Sequence, residues 1–192
     1  MKAAEWKRFA TPLLGPEWSF SKALAYRRPV GWVVRGLYAE STRSGGFYLW
    51  EVQVPLYWPS NVLALSWSRR LGGGSQRWDR DEAASAAIRE SAMRINQMRA
   101  SVSIDVVKGD DNVVKQEARA YGLVVESKAD DAIGVLERVT DHAAEYPWEH
   151  EMVRRAAGIR DQLVAGDLIG AQAVISSWRV ATADALGIIL ED

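Results

Sequence analysis

GGFYLWEVQVPLYWPS, residues 45–60, contains two tryptophans, two tyrosines and one phenylalanine. Every even position from Tyr48 to Trp58 carries an aromatic or aliphatic side chain, whereas the odd positions include Glu51 and Gln53. A period of two with one apolar face is typical of an antiparallel strand that rests on a core. The stretch therefore predicts a strand whose even-numbered rings fill a core.

This alternation gives specific expectations for four neighbouring side chains. Trp50 and Val52 should be almost fully buried, while Glu51 and Gln53 should reach solvent or a polar contact. Emptying a large core site costs about 3–5 kcal/mol, so the substitution Trp50→Ala should lower stability by that amount.

Three further stretches alternate in the same way, and turn-forming residues separate all four. Residues 29–31, 41–46 and 59–61 contain the glycine, proline, serine and asparagine typical of short turns. Consecutive strands with short connections predict an antiparallel meander, preceded by an amphipathic helix over residues 3–14. The four predicted strands are 18–28, 32–40, 47–58 and 63–71.

The second part of the chain is mainly helical in pattern. Residues 79–100 begin with acidic and end with basic side chains, which suits the dipole of a helix. Residues 101–107 fit either a continuation of that helix or a short strand. Residues 109–112 read as a loop that opens another helix, and residues 122–127 as an extended segment.

Residues 133–185 predict three helices, of which the last two form an antiparallel hairpin. Pro147 suits the first turn of the second helix, whose apolar face runs from Trp148 to Leu163. Asp167 is the expected N-cap of the third. The fold class is therefore α+β: a four-stranded antiparallel meander with an N-terminal helix, followed by a helical half that ends in a hairpin.

The two parts differ in charge. Residues 1–80 hold 12 Lys and Arg against 5 Asp and Glu, whereas residues 81–192 hold 12 against 20. Seven of the nine tryptophans also lie in the basic part. We therefore divide the sequence into residues 1–78, basic and rich in tryptophan, and residues 79–192, acidic and helical. We expect both to form one globular unit.

Residues suited to catalysis or metal binding are few. Cysteine is absent, which excludes disulfides, thiolate zinc sites and cysteine nucleophiles. His142 and His150 fall at the edges of their helix faces, and the side chains of residues 149–151 point about 100° apart. The acidic pairs 110–111 and 130–131 stand at helix starts, where carboxylates are favoured.

The glycine-rich stretch 71–78 follows an antiparallel strand instead of leading directly into a helix, so it reads as a flexible connection and not as a phosphate cradle. The sequence predicts no catalytic residue, no metal and no cofactor.

Arginines on the predicted sheet give the clearest sign of binding. Arg27, Arg35 and Arg70 belong to the polar phase of their strands, together with Phe47 and Leu49. If this face is open, these five residues form a partner-binding patch. If the acidic half covers it, which we favour, a carboxylate from residues 81–192 should lie within about 4 Å of Arg35 or Arg70.

Three kinds of partner fit this sequence. Trp, Tyr and Arg dominate protein interfaces, so another protein is the leading expectation. Nucleic acid is the alternative, because basic side chains among aromatic rings bind phosphates and stack on bases. A small ligand is the third, either bound or converted by an enzyme, in a pocket between sheet and helices lined by Tyr26, Tyr38, Tyr48 and Trp50.

The segments LAYRRPVGW and VVRGLYAESTRSGGFYLWEVQVPLYWP resemble a family of small uncharacterised bacterial proteins grouped as a domain of unknown function. The resemblance lies in the aromatic–basic pair Tyr26-Arg27 and in Phe47, Leu49 and Pro55, and covers about a third of the chain. It implies an immunity-like or defence-accessory role, since such proteins are sometimes found near toxin–immunity or phage-defence genes. It implies no catalytic residues.

The sequence predicts no association with a membrane. Glu5, Lys7 and Arg8 interrupt what would be the apolar part of a signal peptide. No uninterrupted apolar run approaches the roughly 18 residues of a membrane span. A soluble, cytoplasmic protein is the expectation.

Overall fold

The computed structural model describes residues 1–43, 45–72, 76–98 and 112–191, and has the predicted α+β class. The chain divides into two compact units. Unit 1 comprises Met1–Val54, Val62–Ser101 and Leu186–Asp192, and unit 2 comprises Pro55–Asn61 and Val102–Ala185. The predicted halves, residues 1–78 and 79–192, are defined by amino-acid composition alone, and that division stays a prediction.

Unit 1 contains an antiparallel sheet and two α-helices within its described residues. A 3₁₀ turn, Thr11–Leu13, follows the first helix. The elements are α1 (Ala3–Ala10), β1 (Trp18–Ser21), β2 (Leu24–Arg27), β3 (Val33–Ser41), β4 (Phe47–Pro55), β5 (Arg69–Arg70) and α2 (Glu82–Gln97). The strands follow one another in chain order across the sheet, as a meander does.

The sheet has five strands within the described residues, not the predicted four. Residues 18–28 form a hairpin, β1 and β2, in which Ser21 pairs with Leu24 and Lys22 takes a positive φ of 52°. The sequence pattern missed this turn because no glycine or proline marks it. The predicted strand 63–71 is reduced to the two residues of β5.

The helices α1 and α2 pack on the face of the sheet that carries Phe47 and Leu49, here called the first face. Phe47 lies 6.1 Å from the ring of Trp6 and 6.3 Å from that of Phe9, between ring centroids. Ile88 of α2 belongs to the same buried cluster. The amphipathic faces of both helices thus close over the odd-numbered side chains of β4.

The expectation for Trp50 is wrong in part. Val52 is fully buried, as predicted, but Trp50 is only half-buried on the second face of the sheet. Gln53 is half-buried as well, while Glu51 is 8% exposed and reaches a polar contact. The helices cover the odd-numbered side of β4; on the even-numbered side Val52 is buried, but the ring of Trp50 keeps access to water.

The C-terminal segment belongs to unit 1 and is fixed to β1, β2 and the residue after β2. Ser21 Oγ donates a hydrogen bond to the Leu186 carbonyl at 2.6 Å, and the Ile189 N–H donates to Tyr26 Oη at 3.2 Å. Arg28 pairs with Glu191 at 3.1 Å. Tyr26 is therefore part of a buried structural contact and not a pocket lining.

Unit 2 contains four helices within its described residues: α3 (Val113–Val125), α4 (Ala129–Thr140), α5 (Pro147–Val164) and α6 (Leu168–Leu186). Asp167 Oδ1 accepts a hydrogen bond from the Gly170 N–H at 2.8 Å, which confirms the predicted cap of α6. Met152 and Leu163 are buried as predicted, but Trp148 is 52% exposed.

The expected extended segment at 122–127 is wrong, because Gly122–Val125 form the last turn of α3. Tyr121 and Val124 are fully buried on that helix, and their packing outweighs the strand preference of the two valines. Of the predicted loop 109–112 the structure describes only Asn112, which caps the helix and so confirms that a helix opens there. Residues 101–107 and the pair 110–111 lie outside the described residues.

Phe47 is buried among rings and Trp50 is only half-buried, so replacing each by alanine should cost different amounts of stability. Phe47→Ala should lower the free energy of unfolding by about 3–5 kcal/mol, whereas Trp50→Ala should lower it by clearly less. Urea denaturation followed by circular dichroism measures both. An equal or larger loss for Trp50→Ala would contradict the half-buried position of Trp50.

Candidate binding surface

The five predicted partner-binding residues do not form one patch. Phe47 and Leu49 are 1% and 0% exposed in the core of unit 1. Arg27 and Arg35 lie together at one end of the first face, where both line a small pocket. Arg70 lies on the second face, because it pairs with Trp50 in the register of β4 and β5.

The carboxylate predicted near Arg35 or Arg70 is absent at Arg70 among the described residues, and stays a prediction for Arg35. The first face itself is covered, as we favoured, and an ion pair joins it to its cover. Its cover is α2, which comes from the acidic part of the sequence. The carboxylate belongs to the strand residue Glu51 and the arginine to the helix residue Arg94, with 2.6 Å between Oε2 and Nη2. Arg69 adds a second contact to Glu51 at 3.1 Å. The hydrogen bond with Glu51 raises the pKa of Arg94.

The second face carries a group of half-buried side chains, here called the aromatic–arginine cluster: Tyr38, Glu40, Tyr48, Trp50 and Arg70. The guanidinium carbon of Arg70 lies 3.3 Å from the centroid of the Tyr48 ring and 5.7 Å from that of Trp50. Trp50 Nε1 donates to Glu40 Oε2 at 2.9 Å. Cation–π contact and hydrogen bonding thus hold the rings in fixed orientations.

One charged side chain of the aromatic–arginine cluster, that of Arg70, has no ionic partner among the described residues. Among the described residues, Arg70 makes ring contacts but no ion pair with a carboxylate. Burial, and secondly the charge of Glu40, raise the pKa of Tyr38, so its hydroxyl stays protonated near neutral pH. The cluster therefore offers a cation, aromatic surface and a hydroxyl donor at a partly exposed position.

Unit 2 contains a buried polar group that the sequence did not reveal. Glu117 is 0% exposed and accepts hydrogen bonds from Trp58 Nε1 at 2.6 Å, Tyr121 Oη at 2.7 Å and Arg155 Nη2 at 3.0 Å. Burial raises the pKa of the Glu117 carboxyl against the opposing effect of Arg155. Since these bonds satisfy the carboxylate and no solvent reaches it, the group anchors residues 55–61 to α3 and α5 structurally.

The two histidines differ in their surroundings. His150 is exposed, whereas His142 Nε2 lies 3.5 Å from Glu149 Oε1. Glu149 Oε2 also accepts hydrogen bonds from the backbone N–H groups of Glu145 and Tyr146 at 2.7 and 3.1 Å, which closes the start of α5. Within the described ranges, no three His, Asp or Glu side chains are grouped as a metal site would need.

Comparison with known proteins gives no relative: no family model, no curated protein and no solved structure matches this chain. The resemblance to the bacterial domain of unknown function therefore stays a prediction. In the part of the chain that the structure describes, no helix has the length and apolar character needed to cross a membrane.

The buried Glu117 group predicts a large loss of stability when the carboxylate is removed. Glu117→Ala should lower the free energy of unfolding by about 3–5 kcal/mol, since it leaves the largely buried Arg155 with only the more distant Glu151, at 3.9 Å. Replacing both residues by leucine should recover much of this loss, because no buried charge remains. Denaturant unfolding measures both variants. A loss below about 1 kcal/mol for Glu117→Ala would contradict a buried ion pair.

The helix-capping role of Glu149 predicts a pH dependence. The N–H groups of Glu145 and Tyr146, followed by His142, lower the pKa of Glu149 below its ordinary value of 4.5. A lowered folded-state pKa stabilises the protein above the ordinary pKa, and this stability is lost as the pH falls through the folded-state value. The difference in melting temperature between wild type and Glu149→Gln should therefore be largest near neutral pH and shrink in acid. A difference that does not change with pH would contradict this role.

Proposed function

We propose that this chain is a non-catalytic protein-binding module, and that the aromatic–arginine cluster is its contact surface. The observation that carries the proposal is the stacking of Arg70 on Tyr48 beside Trp50 at a half-buried position. These three residue types supply most of the binding energy in protein interfaces.

The fixed geometry of the cluster supports this function. Binding costs side-chain entropy, about 0.5–1.5 kcal/mol for each flexible side chain that becomes fixed. Here the indole of Trp50 is already hydrogen-bonded to Glu40, and the guanidinium of Arg70 already lies on a ring. Much of this ordering is therefore complete before a partner arrives, which leaves more of the contact energy for affinity.

The chemistry of the cluster favours a partner with an acidic surface. The carboxylate of Glu40 is engaged by Trp50, and in the described chain Arg70 has no carboxylate of its own. An aspartate or glutamate of the partner would pair with the guanidinium while its neighbouring apolar atoms cover the rings. The resemblance to proteins encoded near toxin–immunity and phage-defence genes supports an immunity-like or defence-accessory role.

Single-stranded nucleic acid is a second candidate, and one observation favours it. An arginine stacked beside two aromatic rings on one sheet face is the arrangement on which bases stack and phosphates bind. The carboxylate of Glu40 within the same cluster opposes a polyanion. Protein therefore remains the better partner.

Affinity capture from cells of the source organism tests the proposal. The wild type should retain one partner in stoichiometric amount, and both Trp50→Ala and Arg70→Ala should lose it, because each removes a central contact. Trp148→Ala is the matched control. It removes an exposed tryptophan that lies in unit 2, outside the cluster, and should leave capture unchanged. Thermal melting confirms that each variant is folded.

Two outcomes would count against a protein-binding surface at this cluster. The first is a partner that both cluster variants retain. The second is binding of a single-stranded oligonucleotide, lost on Arg70→Ala and falling steeply with salt, which would identify the nucleic-acid alternative.

A further inference from the structure

Helices α5 and α6 together line a pocket within unit 2, whereas the aromatic–arginine cluster belongs to unit 1. Its volume of about 290 Å³ is at the lower end of the range for ligand pockets, roughly 300–1,000 Å³. The pocket therefore suits a molecule of one or two rings. Its walls come from one face of α5, at spacings of three and four residues, and from two successive turns of α6: Arg155, Gly158, Ile159, Gln162, Val174 and Trp178.

The indole of Trp178 is an aromatic wall that is held in place. Its ring lies 5.1 Å from that of Tyr121, between centroids, and Tyr121 Oη donates a hydrogen bond to the buried Glu117 at 2.7 Å. Trp178 and Val174 are half-buried, and Ile159 is buried. A fixed ring among aliphatic side chains favours a flat apolar ligand, because little side-chain ordering remains to be done on binding.

Gly158 leaves the space beside these walls open. Glycine in the interior of a helix is destabilising relative to alanine. Packing gives no reason for it here, because an added Cβ would meet no described atom within 4 Å. A pocket that admits a ligand does need this space, and Gly158 is exposed at its edge.

The charged side chains of the pocket compensate one another. Arg154 and Glu151, which also line it, pair at 2.7 Å. Arg155 pairs with the buried Glu117 at 3.0 Å. Two guanidiniums thus stand against two carboxylates, so no net charge calls for an ionic ligand. A neutral molecule fits the pocket best.

Gln162 supplies a hydrogen-bonding requirement. Its Oε1 atom is shielded from water and accepts no hydrogen bond within the described chain. A buried acceptor without a donor is unfavourable. The terminal amide of glutamine has a broad torsional preference, so a modest rotation turns this oxygen toward a donor in the pocket. The complementary ligand therefore carries an N–H group.

We propose that this pocket binds a small neutral ligand whose planar aromatic ring carries an amide or amino group. The ring lies against the indole of Trp178, and its N–H donates a hydrogen bond to Gln162 Oε1. Gly158 provides the space that the ring occupies.

Titration of the full chain with benzamide tests the site. The indole N–H signal of Trp178 in NMR spectra should shift along a saturable curve, with an affinity in the millimolar range expected of so small a molecule. Benzoate has the same shape, but it lacks an N–H donor and adds a charge. It should therefore bind clearly more weakly.

Substitutions at two helical glycines separate the pocket from general effects on unit 2. Gly158→Leu fills the open space and should weaken benzamide binding about tenfold or more. It should not lower the melting temperature, because leucine is the better helix former. Gly134→Leu is the matched control: Gly134 lies in α4, has an equally free Cβ position and does not line the pocket, so affinity should be unchanged.

Gln162→Met keeps the length of the side chain but removes the acceptor, and should weaken benzamide binding about tenfold. Four results would overturn the proposal. These are a Trp178 signal that does not saturate, benzoate binding as tight as that of benzamide, wild-type affinity in Gly158→Leu or Gln162→Met, and a large loss of melting temperature in Gly158→Leu, which would show that the space is not open.

Discussion

The packing of α1 and α2 on the Phe47 side of strand β4 is the constraint on which the candidate sites of unit 1 depend. Alternation along a strand means that covering one set of side chains leaves the intervening set on the other face. Because Phe47 and Leu49 are taken into the core, Tyr48 and Trp50 must point away from it. The same choice turns Glu51 toward α2, where Arg94 compensates its burial.

The sequence predicted the strand β4 and the burial of Val52 correctly, but not that Trp50 on the same face is only half-buried. Alternation gives a period of two, and a strand with aromatic residues in both phases satisfies it either way. Here the even phase is uniformly apolar, yet the odd phase with Glu51 meets the helices. The reason lies in a partner distant in sequence: Arg94, whose charge makes burial of that carboxylate possible. No local pattern contains this information.

Other elements were predictable to the extent that they depend on local chemistry. Asn112 and Asp167 cap helices as their residue types suggest, and the meander follows from short turns. The buried Glu117 was missed because its carboxylate is satisfied by Trp58 and Arg155, which are 59 and 38 residues away in the chain. The nearest signal was Tyr121, one helical turn further along the same buried face.

Three arginines of the basic part of the sequence lie on different faces of the sheet, because odd and even strand positions point to opposite faces. Arg27 and Arg35 stand in the phase that α2 covers, so their charges are confined to a small pocket with apolar walls. Arg70 stands in the other phase, so its charge lies on aromatic rings at a half-buried surface. The basic character of residues 1–80 is therefore not one patch. A guanidinium that lies on an aromatic ring suits contact with an extended surface, and the register of β4 and β5, which sets Arg70 opposite Trp50, places it there.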